Sequence, residues 1–329
     1  MDRFSVSVWN EWDPLKEVIV GDMTHDILPF WSPDWGRYEG CKEYSEIGGG
    51  KTHLSAFPER TKGTIAQTHQ LADLLKSYGI VVHRPLRMLT EKEKEITPVG
   101  HWIQYPRDPH IVIGKHIIET NTRVTARHKE HLVWSALWQE KVINDPQVKY
   151  VRMPNISPFL PEINNEDFLQ DTRFFLEGGD TFILGDDILV GCSSLASSPS
   201  GIDWFQNYLG AQWRVHTVKI KPKWIHLDCI FSVIREGLAL CCLEALNQDL
   251  PDPIKNWKII DVTIKESNHM GTNTLCIEPG VVLIGAEHKR LISEIENNRA
   301  IAIPIPFDQA SQWGGGIRCS THPINRQSF

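Results

Sequence analysis

Short apolar runs recur along the chain in pairs, each pair split by a tight turn and opened by a polar motif rich in Gly or Asp. The copies are PRDPHIVIGKHIIET at 106–120, EGGDTFILGDDILVG at 177–191, HLDCIFSVIREGLALCC at 226–242 and GTNTLCIEPGVVLIG at 271–285. A last motif, GGGIRCSTHPI at 314–324, opens the same way, and EWDPLKEVIVG at 11–21 supplies its partner run from the other end. Short apolar runs bounded by turn residues read as strands. The turns GK, GDD, REG and EPG suit hairpins, where Gly accepts positive φ.

Helical spacing of apolar residues marks 61–78, with Gly79 as a stop signal, and also 125–141, 202–209 and 287–297. Each of these leads to one more strand: IVVHRP, VKYVRMP, WRVHTVKI and AIAIPIP. The unit is strand, strand, helix, strand, repeated about five times. One such unit cannot hide its apolar face alone, so the copies should close around a common axis. The expected fold is α/β, a five-bladed α/β propeller forming one domain over 1–329, in preference to an ordinary α/β sandwich with hairpins. Residues 31–57 and the Ser-rich 192–201 read as loops that cover the site, with Trp31 and Trp35 in the first of them.

Composition narrows the function. Of 329 residues, 41% are apolar and 23% charged, which suits a folded globular chain. A net charge of -7 gives no general attraction for nucleic acid or an anionic membrane. The N-terminus carries charges where a secretory segment is apolar, and no long apolar run predicts a membrane span. Seven cysteines, an odd number without metal-ligand spacing, argue against a disulfide framework and a structural zinc site. A cytoplasmic enzyme without metal or organic cofactor is the expectation, and base rates suggest a homodimer.

In a propeller the opening motifs point toward the axis, so their polar residues converge: Asp108, Asp180, His226, Asp228, Asn273 and Cys319. Buried carboxylates need a cationic complement. A planar guanidinium, with five donors, is the natural one. Its central carbon is a poor electrophile, and a thiolate is a nucleophile strong enough to attack it. Cys319 is read as that nucleophile, with Gly314, Gly315 and Gly316 allowing the turn before it. His226 can protonate the departing amine and then activate the second nucleophile. Arg173, Arg235 and Arg318 are candidate partners for a substrate carboxylate, and Asn273 for its amino-acid end. The other cysteines, in apolar strands, read as inert.

These motifs resemble the amidinotransferase branch of the guanidino-group-modifying (pentein) superfamily. The resemblance rests on VWNEWDPLKEVIVG, on PRDPHIVIGKHIIET followed by Arg123 and Arg127, on HLDxxF, and on the GGGxxC near the C-terminus, and it spans nearly the whole chain. It implies the propeller fold, Cys319 as nucleophile, His226 as general acid/base and Asp180 as the carboxylate working with the histidine. It also implies Asp108 and Asp228 as guanidinium-binding aspartates, and Glu177 joins Arg235 and Asn273 in the substrate-binding set. The implied partners are a guanidino donor, arginine first among them, and an acceptor amine. EGGD and IRCSTHPI look more like arginine deiminases and related hydrolases, in which water is the second nucleophile. A guanidino hydrolase is thus the alternative to a transferase.

Overall fold

The computed structural model describes residues 5–32, 41–155, 173–193 and 195–327, with backbone alone at 41–43. Its described strands form five three-stranded sheets of one pattern. In the first, β1 (Leu15–Val20) runs parallel to β2 (Val81–His83), and the C-terminal strand of the chain completes it. In the second, β3 (His110–Ile113) is antiparallel to β4 (His116–Glu119), which is parallel to β5 (Lys149–Arg152). The same order builds β6 (Thr181–Leu184), β7 (Asp187–Cys192) and β8 (Arg214–Lys219). It is repeated in β9 (Phe231–Arg235), β10 (Leu238–Cys241) and β11 (Lys258–Asp261), and in β12 (Leu275–Glu278), β13 (Val281–Gly285) and β14 (Ile301–Ile305). Finally β15 (Thr321–Arg326) returns to pair antiparallel with β1. This is the five-bladed propeller, with one blade closed by both ends of the chain.

Each hairpin turns on a glycine in the left-handed region, with φ of 53° at Gly114, 76° at Gly185, 77° at Gly237 and 82° at Gly280. A side chain there is disfavoured by sterics. The first two strands of the blades are buried along most of their length, as expected when both faces are covered. Blades meet through apolar contacts; Phe182 of β6 and Phe231 of β9 lie edge to face at 5.0 Å.

Helices carry four blades from their second strand to their third: Pro58–Ser77, Ser135–Asn144, Pro199–Leu209 and Lys289–Asn297. Several details differ from the sequence reading. The fourth blade has no α-helix there, only short 3-10 turns at Leu243–Ala245 and Asp252–Ile254. Pro251 and Pro253 account for this, since proline removes backbone donors and breaks a helix. The first half of 125–141 is likewise 3-10, over Thr125–Trp134. Within 31–57, read as a loop, the chain forms helices Cys41–Gly48 and His53–Ala56, the second capped by the Thr52 side chain. No described helix is long and apolar enough to cross a membrane.

The propeller sets the positions of the polar residues. Asp108, Asn273 and Cys319 each lie two residues before the opening strand of their blade, ahead of β3, β12 and β15. Glu177 and His226 each lie one residue before a 3-10 turn, Gly178–Asp180 and Leu227–Cys229, that leads toward β6 or β9. Residues remote in sequence thereby face one another around the axis.

Candidate active site

A cavity of about 430 Å³ opens over these motifs. Asp108, Glu177, His226 and Cys319 line it on one side, and the rings of Tyr44, Trp102, Tyr105, Trp224 and Trp313 line much of the rest.

Cys319 is buried and held from two directions. The Asn273 amide donates to its Sγ at 3.1 Å and accepts from its backbone N–H at 3.0 Å. The thiol donates toward Asp228 Oδ2 at 3.4 Å. Gly316 makes this approach possible, because a Cβ there would lie 2.6 Å from Asn273 Cβ. Burial, then the negative charges of Asp228 and Asp108 and the neighbouring Cys229, push the Cys319 thiol well above its ordinary pKa. That shift favours the thiol, and a cation beside the sulfur favours the thiolate.

His226 sits between carboxylates. Its Nε2 donates to Glu177 Oε2 at 2.9 Å, and its Nδ1 lies 3.9 Å from Asp108 Oδ1. Both ring nitrogens thus face acceptors, which suits an imidazolium. Burial alone lowers the pKa of this ring, but Asp108, Glu177 and Asp180 outweigh it and hold the value up at about 10. A buried imidazolium of this kind can deliver a proton to a departing amine. The ring lies over the Gly179 backbone, where a Cβ would be 2.6 Å from Nδ1. Gly179→Ala is therefore expected to displace the imidazole and lower turnover about 10²-fold, the scale for misplacing a catalytic group by 1 Å. Turnover assays of the folded variant check this; unchanged kinetics would remove the claim that the glycine sets the ring position.

Asp108, Glu177, His226 and Cys319 are brought together, but the carboxylate that bonds the histidine is Glu177, not Asp180. Glu177, assigned from sequence to the substrate, bonds the histidine and accepts from Arg123 N–H at 2.7 Å. Asp180, expected to bond the histidine, accepts instead from Leu227 N–H at 2.9 Å and from Ser197 Oγ at 2.6 Å. It fixes the backbone beside His226, and burial raises its pKa to about 7 against its hydrogen bonds. The reason is local: the 3-10 turn at Gly178–Asp180 sends residue 177 to the cavity and residue 180 behind it.

Four more assignments are revised. Asn273 spends its amide on Cys319 and on the Asp228 carbonyl, at 3.1 Å, so it holds the thiol and does not line the cavity. Arg235 ends β9 at the hairpin tip and donates to the Asn298 carbonyl at 3.3 Å, away from the cavity. Arg318 is buried, donating to Glu11, Asp228 and the Thr181 carbonyl with its guanidinium 3.8 Å from the Phe182 ring centroid. It ties blades together and is not a carboxylate receptor. Arg173 stacks over Phe175, at 5.0 Å. Asp228 stands behind the sulfur, shared between Cys319 and Arg318, which leaves it less free to grip a substrate than expected. Trp31 is half exposed and outside the cavity lining, and Trp35 lies outside the described residues.

The sequence reading assigned no part to Arg127 and Glu130. Arg127 donates to Asp108 Oδ2 at 2.8 Å and grips both oxygens of Glu130. Their i,i+3 spacing was the available signal. The pair orients Asp108, whose carboxyl, raised by burial, is held below its ordinary range by His226 and Arg127. Asp108, Glu177 and His226 also present ligand atoms within 4.8 Å of one another, close enough to hold a metal. Asp108 already accepts from Arg127 and Glu177 from the Arg123 N–H, however, so this set fits proton chemistry better.

The propeller and this arrangement of buried thiol, imidazolium and carboxylates define the class, the guanidino-group-modifying (pentein) superfamily. A family model described as "N,N dimethylarginine dimethylhydrolase, eukaryotic" matches residues 59–326, and the chain belongs to that family. Its curated relatives include amidinotransferases over nearly the full length. The putative inosamine-phosphate amidinotransferase 2 of Streptomyces griseus is 26% identical, covering 98% of this chain and 97% of that protein. The mitochondrial glycine amidinotransferase of Gallus gallus is 25% identical, covering 98% of this chain and 83% of that protein. Among solved structures, the inosamine-phosphate amidinotransferase STRB1 of Streptomyces griseus shares the fold with a TM-score of 0.81 at 23% identity, over 99% of this chain and 98% of that one.

Proposed function

We propose that this chain is a cysteine-dependent amidinotransferase. The observation that carries the reading is Cys319 at the floor of a cavity whose polar wall is made of Asp108, Glu177 and His226. A guanidinium entering this wall meets negative charge, and its own charge favours the Cys319 thiolate, whose proton leaves to solvent. The thiolate attacks the central carbon, and His226 protonates the departing amine. An amidino group then remains on sulfur. An acceptor amine, losing its proton to His226, attacks that carbon, and the carbon–sulfur bond breaks to restore the thiolate. The two half-reactions predict ping-pong kinetics. Arginine is the proposed donor, and the relatives' names support transfer to an amine. Unpaired buried cysteines such as Cys241 and Cys242 support assignment to a reducing cytoplasm.

Hydrolysis is the second reading, favoured by the description of the matching family model and by the EGGD and IRCSTHPI motifs. Incubation with arginine, with and without a panel of amines, separates the two by mass spectrometry of products. Ornithine formed only with an acceptor supports transfer; citrulline or urea formed without one overturns it.

The raised thiol pKa has its own consequence. Alkylation of Cys319 by iodoacetamide in the ligand-free protein, followed by peptide mapping, is expected to rise about tenfold per pH unit across neutrality. A plateau below pH ~7 would mean that the thiolate is already formed without substrate.

A further inference from the structure

The donor of the proposed reaction is an amino acid, and its carboxylate lies six bonds from the guanidinium carbon. Its natural complement is a cation at some distance from Cys319. Three cationic side chains line the cavity among the described residues: Arg127, His226 and Lys223. Arg127 is neutralised by Asp108 and Glu130, and His226 by Glu177. Lys223 has no carboxylate partner among the described residues. It is exposed, with its ammonium 5.4 Å from the ring centroid of Trp224, which also lines the cavity.

The backbone positions this lysine. After β8 the chain makes a tight turn, with Lys223 N–H donating to the Lys221 carbonyl at 2.7 Å. Lys221 itself is tied down to the Glu244 carbonyl at 2.6 Å. The next residues, Trp224, Ile225 and His226, line the cavity in succession. One short segment therefore carries an exposed ammonium at its start and the buried imidazolium at its end. Asp108 and Glu177 repel a second carboxylate, so the amino-acid end of a donor whose guanidinium lies at Cys319 is disfavoured beside that wall.

We propose that Lys223 binds the carboxylate of the guanidino amino acid and so makes this enzyme select arginine over agmatine, the same guanidine without a carboxylate. The inference rests on the guanidino reading above. Lys223 is a specificity-determining residue and takes no part in bond breaking.

The test compares wild type and Lys223→Gln with arginine and with agmatine, measuring kcat and KM separately at low and high salt. For arginine, KM is expected to rise about tenfold with kcat within about twofold, the sign of lost ground-state binding. For agmatine neither constant should move, and added salt should erode only the wild-type preference for arginine. The melting temperature should stay unchanged, because the side chain is exposed. Equal changes for both guanidines, or none for arginine, would overturn the role of Lys223 while leaving guanidino chemistry intact. If wild type converts neither compound and forms no Cys319 adduct, the guanidino reading fails and the inference falls with it.

Discussion

Cys319→Ala is expected to lower turnover of a guanidino donor by at least about 10⁴-fold, the scale on which removal of a covalent nucleophile acts. Cys229 also lines the cavity, but it lacks the Asn273 hydrogen bonds that hold the Cys319 sulfur and backbone in place. The variant should keep its fold, because the hydrogen bonds to the residue 319 backbone do not need sulfur. Mass spectrometry of wild type quenched during turnover should find an amidino group on Cys319, and Cys319→Ala should carry none. Residual activity of more than a few percent in the alanine variant would exclude the covalent route.

His226→Asn is expected to cost about 10² to 10⁴ in kcat, the range for a positioned acid or base. The pH dependence identifies the cause. With its pKa at about 10, His226 is an imidazolium throughout the neutral range, so the alkaline limb of wild-type activity should fall as pH rises through about 10. That alkaline limb should vanish in the variant. Stability follows the same titration. A histidine whose folded pKa is raised above 6.5 contributes stability that is complete below pH ~6.5 and lost as pH rises through about 10. His226→Asn should therefore lower the melting temperature more near pH ~6 than near pH ~10. An unchanged alkaline limb would assign that titration to another group.

Much of this architecture could be read from the chain itself, because it depends on local signals. Paired apolar runs with Gly at the turn specify the hairpins, and the glycines at 114, 185, 237 and 280 occupy the left-handed conformation that the turn requires. The strand β11 was missed because KIID is short and follows two prolines with no helix to announce it. That Cys319 and His226 line one cavity could be expected, because equivalent places in successive blades face the axis.

The division of labour between Glu177 and Asp180 could not be read that way. The two residues lie in one four-residue motif, and a single 3-10 turn decides which carboxylate reaches the imidazole. Asn273 and Arg318 carry the same lesson. Their hydrogen-bonding capacity is spent inside the protein, on partners distant in sequence that nothing nearby reveals. Lys223 had no motif to mark it, since its placement depends on a turn that leads to the cavity wall.

The blade that holds β1 and β15 joins parts of the chain as far apart as Arg326 and Asp13, 313 residues in sequence. Cys319 stands immediately before that seam, and Asn273 and Asp228, which hold it, belong to other blades. The sulfur thus gains its neighbours only after segments 46 and 91 residues earlier in the chain have packed against it. Until those blades pack, residue 319 carries an ordinary cysteine, and the contacts that shift its thiol depend on some of the most non-local pairings in the chain.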